Sequence, residues 1–152
     1  MSDADWRSRA EAGFGRQPFL RHLGATATFP EPGHCELRLP WRAELTQERG
    51  FFHGGVVGTM ADAATACASV STMPAEAAAL TVEYKVNFLR PALGEVLLAR
   101  ARVIKPGRTL TVASCDLFAL GEGREVLCAT ATATVMRLDT APTGNANLKG
   151  GH

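Results

Sequence analysis

From Thr81 to Phe88 apolar and polar residues alternate: Val82, Tyr84, Val86 and Phe88 fall on one face, with Glu83, Lys85 and Asn87 on the other. A period of two marks a β-strand. The stretch from Gly54 to Thr72 reads differently. Val56, Val57, Met60, Ala61, Ala63, Ala64, Ala66, Cys67, Ala68 and Val70 leave no clear polar face. A helix apolar nearly all round is a buried one. At 1.5 Å per residue it spans roughly 28 Å, and Pro74 stops it.

The rest of the chain fits around that helix. Residues 3–15 are charged and Ala-rich and predict a short surface helix, anchored by Phe14 and Phe19. Residues 23–29 and 34–39 predict two strands separated by a Pro30–Gly33 turn. Residues 40–53 form a loop. Strands follow over 95–104, 110–120 and 124–137. Lys105-Pro-Gly-Arg108 has Pro and Gly where a type II turn wants them, and Gly121-Glu-Gly123 turns again. The last strand puts Thr130, Thr132 and Thr134 on one face and Ala129, Ala131 and Ala133 on the other. Short hairpins after the helix make the sheet antiparallel. The expectation is an α+β fold: a helical segment over 1–19, an antiparallel sheet wrapped around one long helix over 20–138, and a disordered tail over 139–152.

Composition narrows the function. The length of 152 residues suits one domain. The net charge is +1, and Tyr and Trp are scarce. Bulk binding of nucleic acid or of an anionic membrane is therefore not expected. No segment is apolar enough for a signal core or a membrane span, so the expected location is the cytoplasm. Cys35, Cys67, Cys115 and Cys128 are too far apart for zinc-ribbon spacing and lie in apolar stretches. They read as small buried hydrophobes, with no metal site. Of the 15 Gly and 25 Ala, Gly54, Gly55 and Gly58 open the long helix, and Ala fills its middle and the facing strand, where small residues permit close packing.

The chemistry concentrates between Gln47 and Asp62. Gly54-Gly55 opens the buried helix, where the first N–H groups lack helical partners and attract negative charge. Such groups stabilise the oxyanion of acyl transfer. Asp62 is the only ionisable residue from Gly54 to Thr72, and lone acids in apolar surroundings concentrate at functional sites. Eight residues of helix separate the two by about 12 Å. One carbonyl cannot meet both on the same straight helix. A site using both takes them from different chains, which predicts a homodimer with two shared sites.

These residues carry a resemblance. His53-Gly54-Gly55 followed by Asp62, with Gln47 upstream and Asn87-Phe-Leu-Arg-Pro-Ala92 after the helix, resembles the hotdog-fold acyl-CoA thioesterases of the phenylacetyl-CoA (PaaI-like) group over about residues 20–137. The resemblance implies an acyl-CoA substrate, active sites at the interface of a dimer or tetramer, and no cofactor beyond the coenzyme A of the substrate itself. It implies that Gly54 supplies the oxyanion N–H, Gln47 orients the carbonyl or acyl group, and His53 holds the loop. Asp62 of the partner attacks or activates water, and Thr81 positions water. Some relatives carry a further hydroxyl one turn after the acid; here that position is Ala66, and Thr65 points about 100° away. Arg90, Arg100, Arg102, Lys105 and Arg108 are candidates for the coenzyme A phosphates, with Arg90, Arg108 and the adjacent Thr109 the best placed in sequence. Phe51, Phe52, Met60 and Met73 read as core, with pocket lining as the second role. Two alternatives remain open: a hotdog hydratase or dehydratase, and a non-catalytic acyl-CoA-binding protein.

Overall fold

A computed structural model describes residues 3–139. Two N-terminal helices, α1 (Asp3–Gly15) and α2 (Pro18–Leu23), precede strands β1 (Thr26–Thr28) and β2 (His34–Pro40). The long helix α3 (Gly54–Val70) follows, then β3 (Ala78–Phe88), β4 (Val96–Lys105), β5 (Leu110–Gly121) and β6 (Arg124–Leu138). All strand pairs are antiparallel, in the order β1-β2-β4-β5-β6-β3. Five of the six strands, β2 to β6, pack on α3. The alternation along β6 behaves as the sequence requires. Ala129, Ala131 and Ala133 are buried toward the helix beside Ala99, Ala101 and Ala113. On the outer face Thr130 bonds Asp116 and Thr134 bonds Glu83. Small side chains on the inner face let the sheet close on a helix that is itself built largely of Ala, Gly, Thr and Ser.

The N-terminal segment departs from expectation. Residues 23 and 24 belong to a helix and its cap, so the first strand starts only at Thr26. Pro18 opens α2, and Gly24 closes it at φ +82° with its N–H on the carbonyls of Leu20 and Arg21. α1 is not a loose surface helix. Trp6 and Ala10 are buried in the same core as α3, and Arg7 and Arg9 donate to the carbonyls of Pro30 and Met73. Phe14 packs against the core, but Phe19 is 58% exposed and anchors nothing; Leu20 and Leu23 do that work. The expected boundary at residue 19 thus falls inside α2. The tail expected from Asp139 lies, beyond that residue, outside the described residues.

Two turns separate the roles of glycine. Glu122 (φ 51°) and Gly123 (φ 71°) are both left-handed, as a two-residue type I′ hairpin requires. Gly107 is not among the positive-φ residues, so the type II turn expected at Lys105–Arg108 does not form. Gly107 is instead needed for closeness: a Cβ there would lie 2.0 Å from the Leu110 carbonyl oxygen.

Among the described residues no helix is long and apolar enough to cross a membrane. All four cysteines are free and buried. A hydrogen bond with Cys67, then burial, pushes the Cys35 thiol far above its usual range. Burial also raises the thiol pKa of Cys115 and Cys128.

The sheet ends on an open edge. β3 pairs with β6 on one side only, and it leaves Val82, Tyr84 and Phe88 exposed at 56%, 46% and 61%. A long apolar edge strand is a site for pairing with another chain. Beside it, α3 shows a half-buried stripe at Val56, Thr59, Asp62, Ala66 and Val70, so the helix is not wrapped all round within one chain.

Candidate active site

The loop before α3 is fixed by its own backbone. Gln47 N–H donates to the Phe51 carbonyl, and Gly50 N–H to the Gln47 carbonyl. Gly50 takes φ +81° to close this turn. The Gln47 side-chain oxygen accepts the Arg49 N–H. That leaves the amide –NH2 as the end of Gln47 open to a ligand. His53 N–H reaches the Leu45 carbonyl at 2.9 Å, and Phe52 N–H the Ala92 carbonyl at 3.0 Å. The loops on either side of the helix start are thus stitched together.

At that helix start the donors are distributed unequally. His53 is the N-cap of α3, and its Nδ1 accepts the Gly55 N–H at 2.9 Å. Its carbonyl accepts from Val56 and Val57 at 2.9 and 3.0 Å. Gly54 alone of the first four residues has an N–H with no acceptor among the described residues. It lies in a cleft of about 530 Å3 that also contains Gln47, Arg49, Phe51, Phe88 and Arg90. The opposite wall is held by a bulge. Between Leu117 and Phe118 the β5–β6 register slips past Cys128. The Cys128 carbonyl then accepts the N–H groups of both Leu89 and Arg90, at 2.8 and 3.1 Å. Cys128 lines the cleft, but its thiol donates to the Leu117 carbonyl and burial raises its pKa, so it is no nucleophile.

Asp62 does not line this cleft. Its Oδ1 accepts the Thr81 hydroxyl at 2.6 Å. A strict period of two would turn Thr81 away from Val82, Tyr84, Val86 and Phe88, and so away from the helix. The structure corrects that reading. Val82 is an extra residue between Thr81 (opposite Val135) and Glu83 (opposite Thr134). This bulge brings Thr81 to the inner face with Tyr84 and Phe88. The three then meet α3 at one-turn intervals. Thr81 bonds Asp62. The Tyr84 hydroxyl lies 3.4 Å from where a Gly58 Cβ would be, and the Phe88 ring 3.4 Å from where a Gly54 Cβ would be. Thr65 faces away, fully buried, and bonds the carbonyls of Ala61 and Asp62.

The structure therefore groups Gln47, Gly54 and Arg90 in one place and Asp62 with Thr81 in another, with exposed His53 capping the helix between loop and cleft. Arg108 and Thr109 lie in the β4–β5 connection, beside the end of β6, where Arg137 N–H bonds the Thr109 carbonyl at 2.8 Å. Within one chain that is the far end of the sheet from Gly54. Arg100 is not a free cation. It bonds Glu125 through two nitrogens at 2.6 and 2.7 Å and Glu36 at 2.6 Å. Glu125 first, then Glu36, hold its guanidinium above its ordinary value. Arg49 is a cleft residue absent from the sequence expectation; its signal was proximity to Gln47. Met60, Met73 and Phe52 are buried in the core; Phe52 also lines the cleft, as does half-buried Phe51. Among the described residues no cluster of three His, Cys, Asp or Glu could hold a metal ion.

Comparison with known proteins fits this arrangement. The sequence profile of the thioesterase superfamily matches residues 49–126, from the loop before α3 into β6. The chain belongs to the thioesterase superfamily. Acyl-coenzyme A thioesterase 13 of Mus musculus is 30% identical over 106 residues, which is 69% of this chain and 72% of the mouse protein. Among solved structures, a thioesterase family protein from Silicibacter pomeroyi is 48% identical, with a TM-score of 0.85 over 88% of this chain and 98% of its own. The PaaI protein of E. coli, from the phenylacetic acid degradation operon, has a TM-score of 0.78 over 90% of this chain and 95% of its own. At 21% identity that likeness speaks for the fold alone. The fold is the hotdog fold of this superfamily, and the chain is a thioester hydrolase.

Proposed function

We propose that this thioesterase hydrolyses acyl-CoA at two composite sites of a homodimer, each pairing Gly54 of one chain with the partner's Asp62. The observation that carries this reading is the division of the machinery. The one open N–H at the start of α3 lies in a cleft whose lining includes Glu48 but not Asp62, and Asp62 stands eight residues along the helix, clamped by Thr81. The open edge of β3 supports the dimer. A twofold relation between two copies of one edge strand makes their pairing antiparallel, which sets the two helices running in opposite directions.

In this reading the thioester carbonyl oxygen accepts the Gly54 N–H and the Gln47 amide. The partner's Asp62 attacks the carbonyl carbon, forming a mixed anhydride that water then hydrolyses, or takes a proton from the water that attacks directly. Charge moves onto the oxygen facing Gly54, where the helix dipole favours it, and thiolate departs. His53 keeps Gly55 occupied and so aims the N-terminus at the cleft. Arg49 and Arg90 meet the phosphates of coenzyme A. In the antiparallel dimer Arg108 and Thr109 lie at the end of the sheet beside the partner's cleft, not their own.

A thiol-release assay over acetyl-, medium-chain, long-chain and phenylacetyl-CoA tests this, with turnover of at least one class expected. Inactivity on all of them, with retained acyl-CoA binding, would favour the non-catalytic binder. Thr81→Val, which removes one hydrogen bond to a carboxylate worth ~1.5 kcal/mol, is expected to lower kcat about tenfold. Thr81→Ser should restore most of it. Equal loss in both variants would show that the hydroxyl does not hold the acid.

A further inference from the structure

The cleft is divided by chemistry. Its rim carries Gln47, Glu48, Arg49 and Arg90, two arginines against one carboxylate, while Val57 and Phe88 make an apolar floor between helix and strand. An acyl-CoA has the same division: a polyanionic arm on one side of the thioester and a hydrocarbon on the other. Burial of hydrocarbon against an apolar floor is the favourable match, so the acyl group runs toward Phe88 and the phosphates toward the arginines.

Phe88 occupies a particular place on that floor. Two of its ring carbons lie 3.4 and 3.6 Å from the position of a Gly54 Cβ. The ring thus stands directly beside the residue whose N–H is open. Yet it remains 61% exposed and lines the cleft. A carbonyl oxygen bound to that N–H brings the acyl α-carbon, two bonds away, against the ring. The neighbouring wall does not yield, because Leu89 is held by the Cys128 carbonyl immediately after the strand.

We propose that Phe88 is a specificity-determining residue whose ring limits the width of the acyl group at the α-carbon; this rests on the acyl-CoA reading above. The test compares kcat/KM of the wild type, Phe88→Leu and Phe88→Ala on acetyl-, isobutyryl- and phenylacetyl-CoA, with thermal melts to confirm folding. Phe88→Ala should raise the isobutyryl-to-acetyl and phenylacetyl-to-acetyl ratios tenfold or more, with Phe88→Leu between. Ratios unchanged within twofold would overturn the proposal. So would an equal rise in KM for every substrate, which would place the ring on the pantetheine arm instead. Binding of non-hydrolysable S-ethyl- and S-isobutyl-CoA by calorimetry provides a readout independent of turnover. If no acyl-CoA is hydrolysed but the thioether preference still shifts in Phe88→Ala, the acyl-CoA hydrolysis reading fails and the role of Phe88 stands. If that preference does not shift either, both fail.

Discussion

Gly54→Pro is expected to reduce thioester hydrolysis about 10²–10³-fold, the usual cost of one oxyanion donor, while leaving α3 folded. Proline is favoured at the first helical position, where the lost N–H has no helical partner anyway. The residue before it must be extended, and His53 already sits at φ −61°, ψ 141°. The change therefore removes the one open donor from the cleft and little else. Gly54→Ala is the control, since it adds a Cβ in the same 3.4 Å contact with Phe88 but keeps the N–H. Kinetics on the best acyl-CoA, with a melting curve for each variant, make the comparison. If Gly54→Pro and Gly54→Ala lose activity equally, crowding rather than the donor is responsible and the oxyanion role is refuted.

Asp62→Asn should be more damaging, with kcat lower by 10³-fold or more, since a carboxylate acting as base or nucleophile has no substitute here. The amide keeps an oxygen that can accept the Thr81 hydroxyl, so the fold and the dimer are expected to survive, as checked by sedimentation. The two lesions also test each other. In a mixed dimer of Gly54→Pro and Asp62→Asn subunits, one composite site carries both defects and the other carries neither. Random mixing of equal amounts makes half of the dimers mixed, so about a quarter of wild-type activity should return. Absence of recovery after proven subunit exchange would mean that each site is built from one chain.

Much of this was legible in the sequence because it rests on long periodic signals. The α3 helix, the alternating Thr and Ala of β6, and the isolation of Asp62 follow from patterns that extend over many residues. What was not legible depends on tertiary partners. α2 is not expected from the sequence pattern, which assigns its last residue, Leu23, to the first strand, although Pro18 and Gly24 bracket the helix as start and stop signals. Phe19, an expected anchor, is exposed while Trp6 is buried, because which aromatic is buried depends on how the helices dock. Arg100 was a phosphate candidate until Glu36 and Glu125, 64 and 25 residues away in the chain, proved to hold it. The division of the expected site residues between two places follows only from the cleft, the free N–H and the Thr81–Asp62 bond.

The extra residue at Val82 has one more consequence. It splits β3 into two segments of opposite parity: odd-numbered Ala79 and Thr81 face inward before it, and even-numbered Tyr84, Val86 and Phe88 after it. The first segment secures the acid; the second shapes the space beside Gly54. If Phe88 sets acyl width as proposed, substitution there retunes which acyl groups enter without disturbing the geometry of Asp62. An edge strand divided in this way offers selection two adjustable parts, one open to drift in substrate range and the other held to the chemistry common to every thioester.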